Sequence, residues 1–157
     1  MATQPPPPIH PEARAFVAES FDEAWNVGLW AAAWSKSLDG LTPEQAAATP
    51  NGARHSIWQQ VLHMVYWRER ALHRIETGDT ADDPELHRRN WPQINDHSDD
   101  AWATARARFE ATQSRVAAAL RNPDPRYDVL TNILPHDCYH FGQINALRAA
   151  LGLDPIE

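Results

Sequence analysis

The chain has 157 residues and a formal net charge of −7, with 43% hydrophobic residues and a single cysteine. That length makes one domain able to bury a core without staples, and one cysteine excludes an intrachain disulfide framework and fits a reducing, cytoplasmic setting. The acidic balance excludes a phosphate-backbone partner, because nonspecific nucleic-acid affinity needs clustered Lys and Arg.

Residues 1–11 carry the run Pro5-Pro6-Pro7-Pro8 and neither a basic cluster nor an apolar stretch. They predict a poorly ordered, polyproline-like tail that is neither a signal peptide nor a membrane anchor, with the domain over residues 12–157. A first helix is expected over about residues 11–38, where Phe21, Trp25 and Leu29 step at i+4 and Gly40 is the stop. Thr42-Pro43-Glu44-Gln45 has an N-cap followed by proline at the first helical position. It opens a brief helix to Ala47 before Pro50-Asn51-Gly52 breaks it. The second long helix begins after Ser56, which forms a capping-box pattern with Gln59, and ends near Thr77 and Gly78. Residues 78–97 are polar, acidic and interrupted by Pro84 and Pro92, and read as a crossover spanning one end of a bundle. A third long helix, capped by Ser98, buries Trp102, Ala105, Phe109, Thr112, Val116 and Leu120 and stops at Asn122-Pro123-Asp124-Pro125. The fourth is expected from about Asp128, with Pro135 a kink risk in its early turns and Leu151-Gly152 as its end. No period-2 strand, internal repeat or apolar run of membrane length is present, so the pattern is an all-α four-helix bundle with no membrane partner.

The chemistry-bearing run is His136-Asp137-Cys138-Tyr139-His140-Phe141-Gly142-Gln143. On a helix His136 and His140 stand about 40° apart and Gln143 shares their stripe, which Val129, Ile133, Ile144, Leu147 and Leu151 flank within about 80°. Two imidazoles at i and i+4 can aim ring nitrogens at one divalent metal. The ordinary alternative is a pair of core histidines with separate partners. Cys138 projects about 160° from His140 and reads as a small thiol buried or half-buried against a neighbouring element.

A tight site that leaves a position open for chemistry needs a third protein ligand. The candidates are His55, His63 and His73. His63 lies in a half-helix that is apolar nearly all round, but the strongest apolar arc, through Trp58, Val61, Val65 and Leu72, projects almost opposite to it. Ligand and solvent-facing residue both fit that pattern. His55 precedes the helix, and His73 sits among Arg70, Arg74 and Glu76 on a solvated face.

The pairing of Ser56-Ile57-Trp58-Gln59-Gln60-Val61-Leu62-His63 with Ile133-Leu134-Pro135-His136-Asp137-Cys138-Tyr139-His140-Phe141-Gly142-Gln143-Ile144 closely resembles the DinB-like superfamily of bacterial metal-binding helical bundles, which is unrelated to the polymerase of the same name. The resemblance covers nearly the whole chain after the tail. It implies an up-down-down-up bundle with a long connection between the second and third helices, homodimers, and one metal ligand at His63 with two more at His136 and His140. Characterised relatives include transferases that join a low-molecular-weight thiol such as bacillithiol to a small electrophile, and a mycothiol-dependent maleylpyruvate isomerase. The expected cofactor is a divalent metal, zinc or nickel, which ligand type cannot separate. The expected function is a thiol-dependent S-transferase or related detoxification enzyme, the alternatives being a noncatalytic metal-binding stress-response protein and a metal-dependent hydrolase. Asp137 and Gln143 are candidates to orient ligand rings or water. Tyr66, Trp67, Trp30 and Trp34 could wall a pocket, although aromatic residues at helical spacing are more often core.

Overall fold

A computed structural model describes residues 8–79 and 81–156, so residues 1–7 of the expected tail lie outside the described residues. Among the described residues the chain is all-helical, with seven α-helices, two 3₁₀ stretches and no strand.

Helix α1, Pro11–Asn26, starts with proline at its first position. The end of the expected tail is held: the Ile9 N–H donates to Asp128 Oδ2 at 2.9 Å. α1 stops well short of residue 38. A continuous helix would turn Trp34 about 140° away from Phe21, and both belong in the core. Gly28 makes the break at φ +103°, where a Cβ would meet the Ala31 carbonyl oxygen at 2.0 Å, and Trp30 follows at φ 59°. Trp34 then opens α2, Trp34–Ser37, stacked flat on Phe141 at 4.9 Å and edge-on to Phe21 at 5.6 Å.

The capping signals place α3, Pro43–Ala47, and α4, Ile57–Thr77, as expected. Reciprocal bonds join Thr42 with Gln45 and Ser56 with Gln59, and Gly78 closes α4 in the left-handed region at φ 74°. The crossover contains a short helix, α5, Leu86–Asn90, absent from the sequence reading because its residues have no apolar period. α6, Asp99–Leu120, buries all six residues predicted for its inner face.

The last helix begins later than expected. Pro125–Asn132 form a 3₁₀ stretch, and α7 runs Ile133–Ala150. The buried Arg14 guanidinium holds this connector by donating to the Asn122 carbonyl, to the Asp124 carbonyl at 3.1 Å and to the Asp128 carboxylate. Pro135 therefore falls in the first turn of α7, where an N–H has no intrahelical acceptor to lose, and no kink results. Val129, expected on the apolar stripe of the last helix, lies in the connector and is 52% exposed.

α4 is the central helix, in contact with α3, α5, α6 and α7. Its Ile57, Val61, Met64, Val65 and Leu72 are almost completely buried, each worth about 1.5–3 kcal/mol of transfer free energy. No helix among the described residues is long and apolar enough to cross a membrane.

Candidate metal centre

Because α4 is covered on both sides, His63 does not face solvent. The bundle packs on the Val61 and Val65 side, and the crossover lays Trp91 flat on the His63 ring, with centroids 3.9 Å apart and planes 11° apart. His63 is 7% exposed as a result. His136 and His140 reach it from successive turns of α7, His140 buried and His136 more open, with 29% of its side chain exposed. The ligand nitrogens of the three all lie within 4.8 Å of one another, and the Nε2 atoms of His63 and His136 are 3.2 Å apart. Two nitrogens on one tetrahedral zinc would stand about 3.4 Å apart.

Each ring meets an acceptor on its outer edge. His63 Nδ1 donates to the Asn90 carbonyl at 3.2 Å, His136 Nδ1 to Asp137 Oδ1 at 2.9 Å, and His140 Nδ1 to Gln60 Oε1 at 2.5 Å. These bonds fix the Nδ1–H tautomer, so the Nε2 lone pairs face inward. Burial, opposed in part by the bond to Asn90, holds His63 neutral down to about 4. Burial, reinforced by the neighbouring imidazoles, does the same for His140, also to about 4. Neutral imidazoles with converging lone pairs repel one another and are stabilised by a cation among them. The donor set fits a divalent metal, and zinc and nickel equally.

Behind His136 lies a charge pair that sequence reasoning missed. Asp137, with no exposed surface, gives Oδ1 to His136 and Oδ2 to the fully buried Arg68, whose Nε is 2.8 Å away. Arg68 also donates to Gln113 Oε1 at 2.9 Å and lies 4.2 Å over the Phe109 ring. The signal was present: Val61, Val65, Arg68 and Leu72 are one stripe at i, i+4, i+7 and i+11, with the arginine in an apolar position. Gln60 and Asn90 were missed as partners too, Asn90 because its contribution is a backbone carbonyl.

The remaining candidates separate cleanly. His55 stacks on the other face of Trp91 at 3.6 Å and stands outside the histidine cluster, and His73 is a surface residue 3.6 Å from Asp79. Cys138 is an exposed residue rather than one buried or half-buried against a neighbouring element. Gln143 lines, with His140, His55, Trp91 and Tyr139, a cleft of about 600 Å³ beside the cluster. Trp67 donates to Asn90 Oδ1 at 2.9 Å and Tyr66 to Asp83 at 3.1 Å, whereas Trp34 is core and Trp30 wholly exposed.

A family model described as the DinB superfamily matches residues 29–152. The chain belongs to the DinB superfamily. The match to the DinB superfamily takes in all three clustered histidines, Arg68 and Asp137, and leaves α1 outside it. No curated protein and no solved structure matches the chain.

Proposed function

We propose that His63, His136 and His140 hold one divalent cation, zinc or nickel, and that the protein is a thiol-dependent S-transferase acting on small electrophiles. The observation that carries the reading is three outward-anchored imidazoles whose inner nitrogens converge beside an open cleft, with no fourth His, Cys, Asp or Glu joining them among the described residues. A metal there supplies positive charge that lowers the pKa of a thiol bound beside it. The chain's own residues do the rest. Asn90, Asp137 and Gln60 keep the ligand rings in register, Trp91 and Gln143 border the space for the thiol, and the cleft admits the electrophile. The thiol proton leaves to solvent, the sulfur forms a bond to the electrophilic carbon, and the leaving group departs with its electron pair. Hydrolysis is the poorer reading, because Asp137, the carboxylate bonded to a ring of the cluster, has both oxygens engaged by His136 and Arg68. In the same reading the four long helices α1, α4, α6 and α7 run up-down-down-up and the protein works as a cytoplasmic homodimer, as the resemblance implies.

The test is elemental analysis of protein purified without a polyhistidine tag, followed by a thiol panel including bacillithiol and mycothiol with a model electrophile. Conjugation should require both metal and thiol and survive Cys138→Ser, whose thiol is exposed on the far side of α7. Conjugation lost in Cys138→Ser with metal and fold intact overturns the assignment in favour of a protein nucleophile. No conjugation across the panel makes the protein a noncatalytic metal binder.

A further inference from the structure

The cleft of about 600 Å³ beside the histidine cluster is longer than a bound sulfur requires. From His140 to Ala150 it follows α7 for about 15 Å, at about 1.5 Å per residue. Beyond Gln143 that wall is apolar, formed by Ala146, Leu147 and Ala150. The opposite wall is the segment from Pro50 to His55, whose 3₁₀ turn packs against α7. Among the described residues, Arg54 is the only Lys, Arg, Asp or Glu in the lining. Its side chain is exposed and enters no ion pair or hydrogen bond among the described residues. The group that feels its charge is His55, whose pKa is lowered first by burial and then by Arg54. That imidazole is therefore neutral at pH 7 and offers Arg54 no counter-charge. Arg54 also stands just ahead of α4, whose N-terminal end adds a partial positive charge of its own. A lone guanidinium with no second cation beside it matches one singly charged carboxylate better than a phosphate dianion. Apolar wall, unpaired cation and a candidate metal ligand at the inner end together describe a seat for one ligand chemistry.

We propose that this cleft binds a small carboxylate with an apolar body, the carboxylate on Arg54 and the body lying over Ala146 and Leu147 towards His140. The ligand's role as the electrophile, with its reactive carbon at the inner end, rests on the transferase reading above. Binding itself needs no metal, so it is tested on chelated protein. Isotope-labelled protein is titrated with para-toluate beside neutral para-toluamide, which has the same ring and no charge, and the backbone amide signals are followed by NMR. Para-toluate should bind about tenfold more tightly than the amide and move the signals of residues 51–55 and 143–150. Arg54→Gln, at an exposed position, should remove the preference with the melting temperature unchanged. Ala146→Glu, at an exposed position on the α7 wall, should weaken para-toluate about tenfold and leave para-toluamide within about twofold. Equal binding of the two ligands, shifts confined to other parts of the chain, or a preference that survives both variants overturns the proposal. With metal and thiol added, para-(chloromethyl)benzoate should be conjugated with a kcat/KM about tenfold above that of para-(chloromethyl)benzamide, chloride leaving with its electron pair as sulfur bonds to the benzylic carbon. The binding preference without any conjugate leaves the carboxylate site standing and removes its role as electrophile seat. Equal conjugation of the two chlorides, with no binding preference, keeps the transferase and overturns the carboxylate site.

Discussion

Asp137→Asn tests the link between the buried charge pair and the histidine cluster. The wild-type carboxylate serves two donors at once, His136 Nδ1–H through Oδ1 and Arg68 through Oδ2. An amide has one oxygen, and the fully buried guanidinium claims it. The amide NH₂ then faces His136 Nδ1, and the ring escapes the clash of donors by moving its proton to Nε2, the atom needed for a metal. Two losses follow. Arg68 keeps a buried charge without a carboxylate, which costs about 3–5 kcal/mol. For a domain of this size that is a fall of about 6–20 °C in melting temperature. Metal affinity falls by about 10–100-fold. Adding Arg68→Met removes the stranded charge with a side chain of similar length and frees the amide oxygen to return to His136. The double variant should recover stability to within about 1–2 kcal/mol of wild type and regain most of the affinity. Urea melts in the presence of chelator give the stability, and competition against a chromophoric chelator gives the affinity. A single variant with wild-type affinity, or a double variant as weak as the single, refutes the reasoning.

His140→Ala should abolish tight metal binding while leaving a helical, cooperatively melting protein, because the core is apolar and does not depend on that ring; circular dichroism with and without metal checks both halves. The metal-free protein should lose stability on acidification, since His63 and His140 are held to about 4 when folded against about 6.5 when unfolded. The unfolded chain binds more protons between those values, so this contribution is complete above about pH 6.5 and is lost as pH falls towards about 4; a urea midpoint flat across that window contradicts it. Gly28→Ala should destabilise by more than about 1 kcal/mol, given φ +103° and the Ala31 carbonyl in the way. Gly142→Ala, in mid-helix with nothing within 4 Å of the added methyl, should stabilise by about 0.5–1 kcal/mol, the pair being read by thermal melts.

Where a boundary rests on local chemistry, the sequence is sufficient. Ser56 with Gln59, Thr42 with Gln45, Gly78 and Ser98 mark helix ends through bonds made within a few residues, and the structure places the ends there. The break after Asn26 escaped because its cause is tertiary: Trp34 must meet Phe141, more than a hundred residues away. The same distinction divides the site. His136 and His140 were legible as a pair from one helix's period. His63 stayed ambiguous until the crossover was seen to cover it, since no periodicity in residues 78–97 announces that Trp91 lies flat on an imidazole. Arg68 was legible in principle, a charge standing in an apolar stripe, and such a residue asks for the buried carboxylate that proves to be Asp137.

The anchor of His63 is a main-chain oxygen, that of Asn90. Every amino acid at position 90 supplies the same atom, so no exchange of side chain there deletes the bond. What can delete it is a change in the path of the chain, by inserting or removing residues in the crossover. The other two anchors, Asp137 and Gln60, are side chains on long helices and answer to point substitution. The cluster is thus open to two kinds of variation, one written in residue identity and the other in loop length, and a redesign of the metal site could shorten or lengthen residues 79–97 to move His63 while leaving every ligand in place.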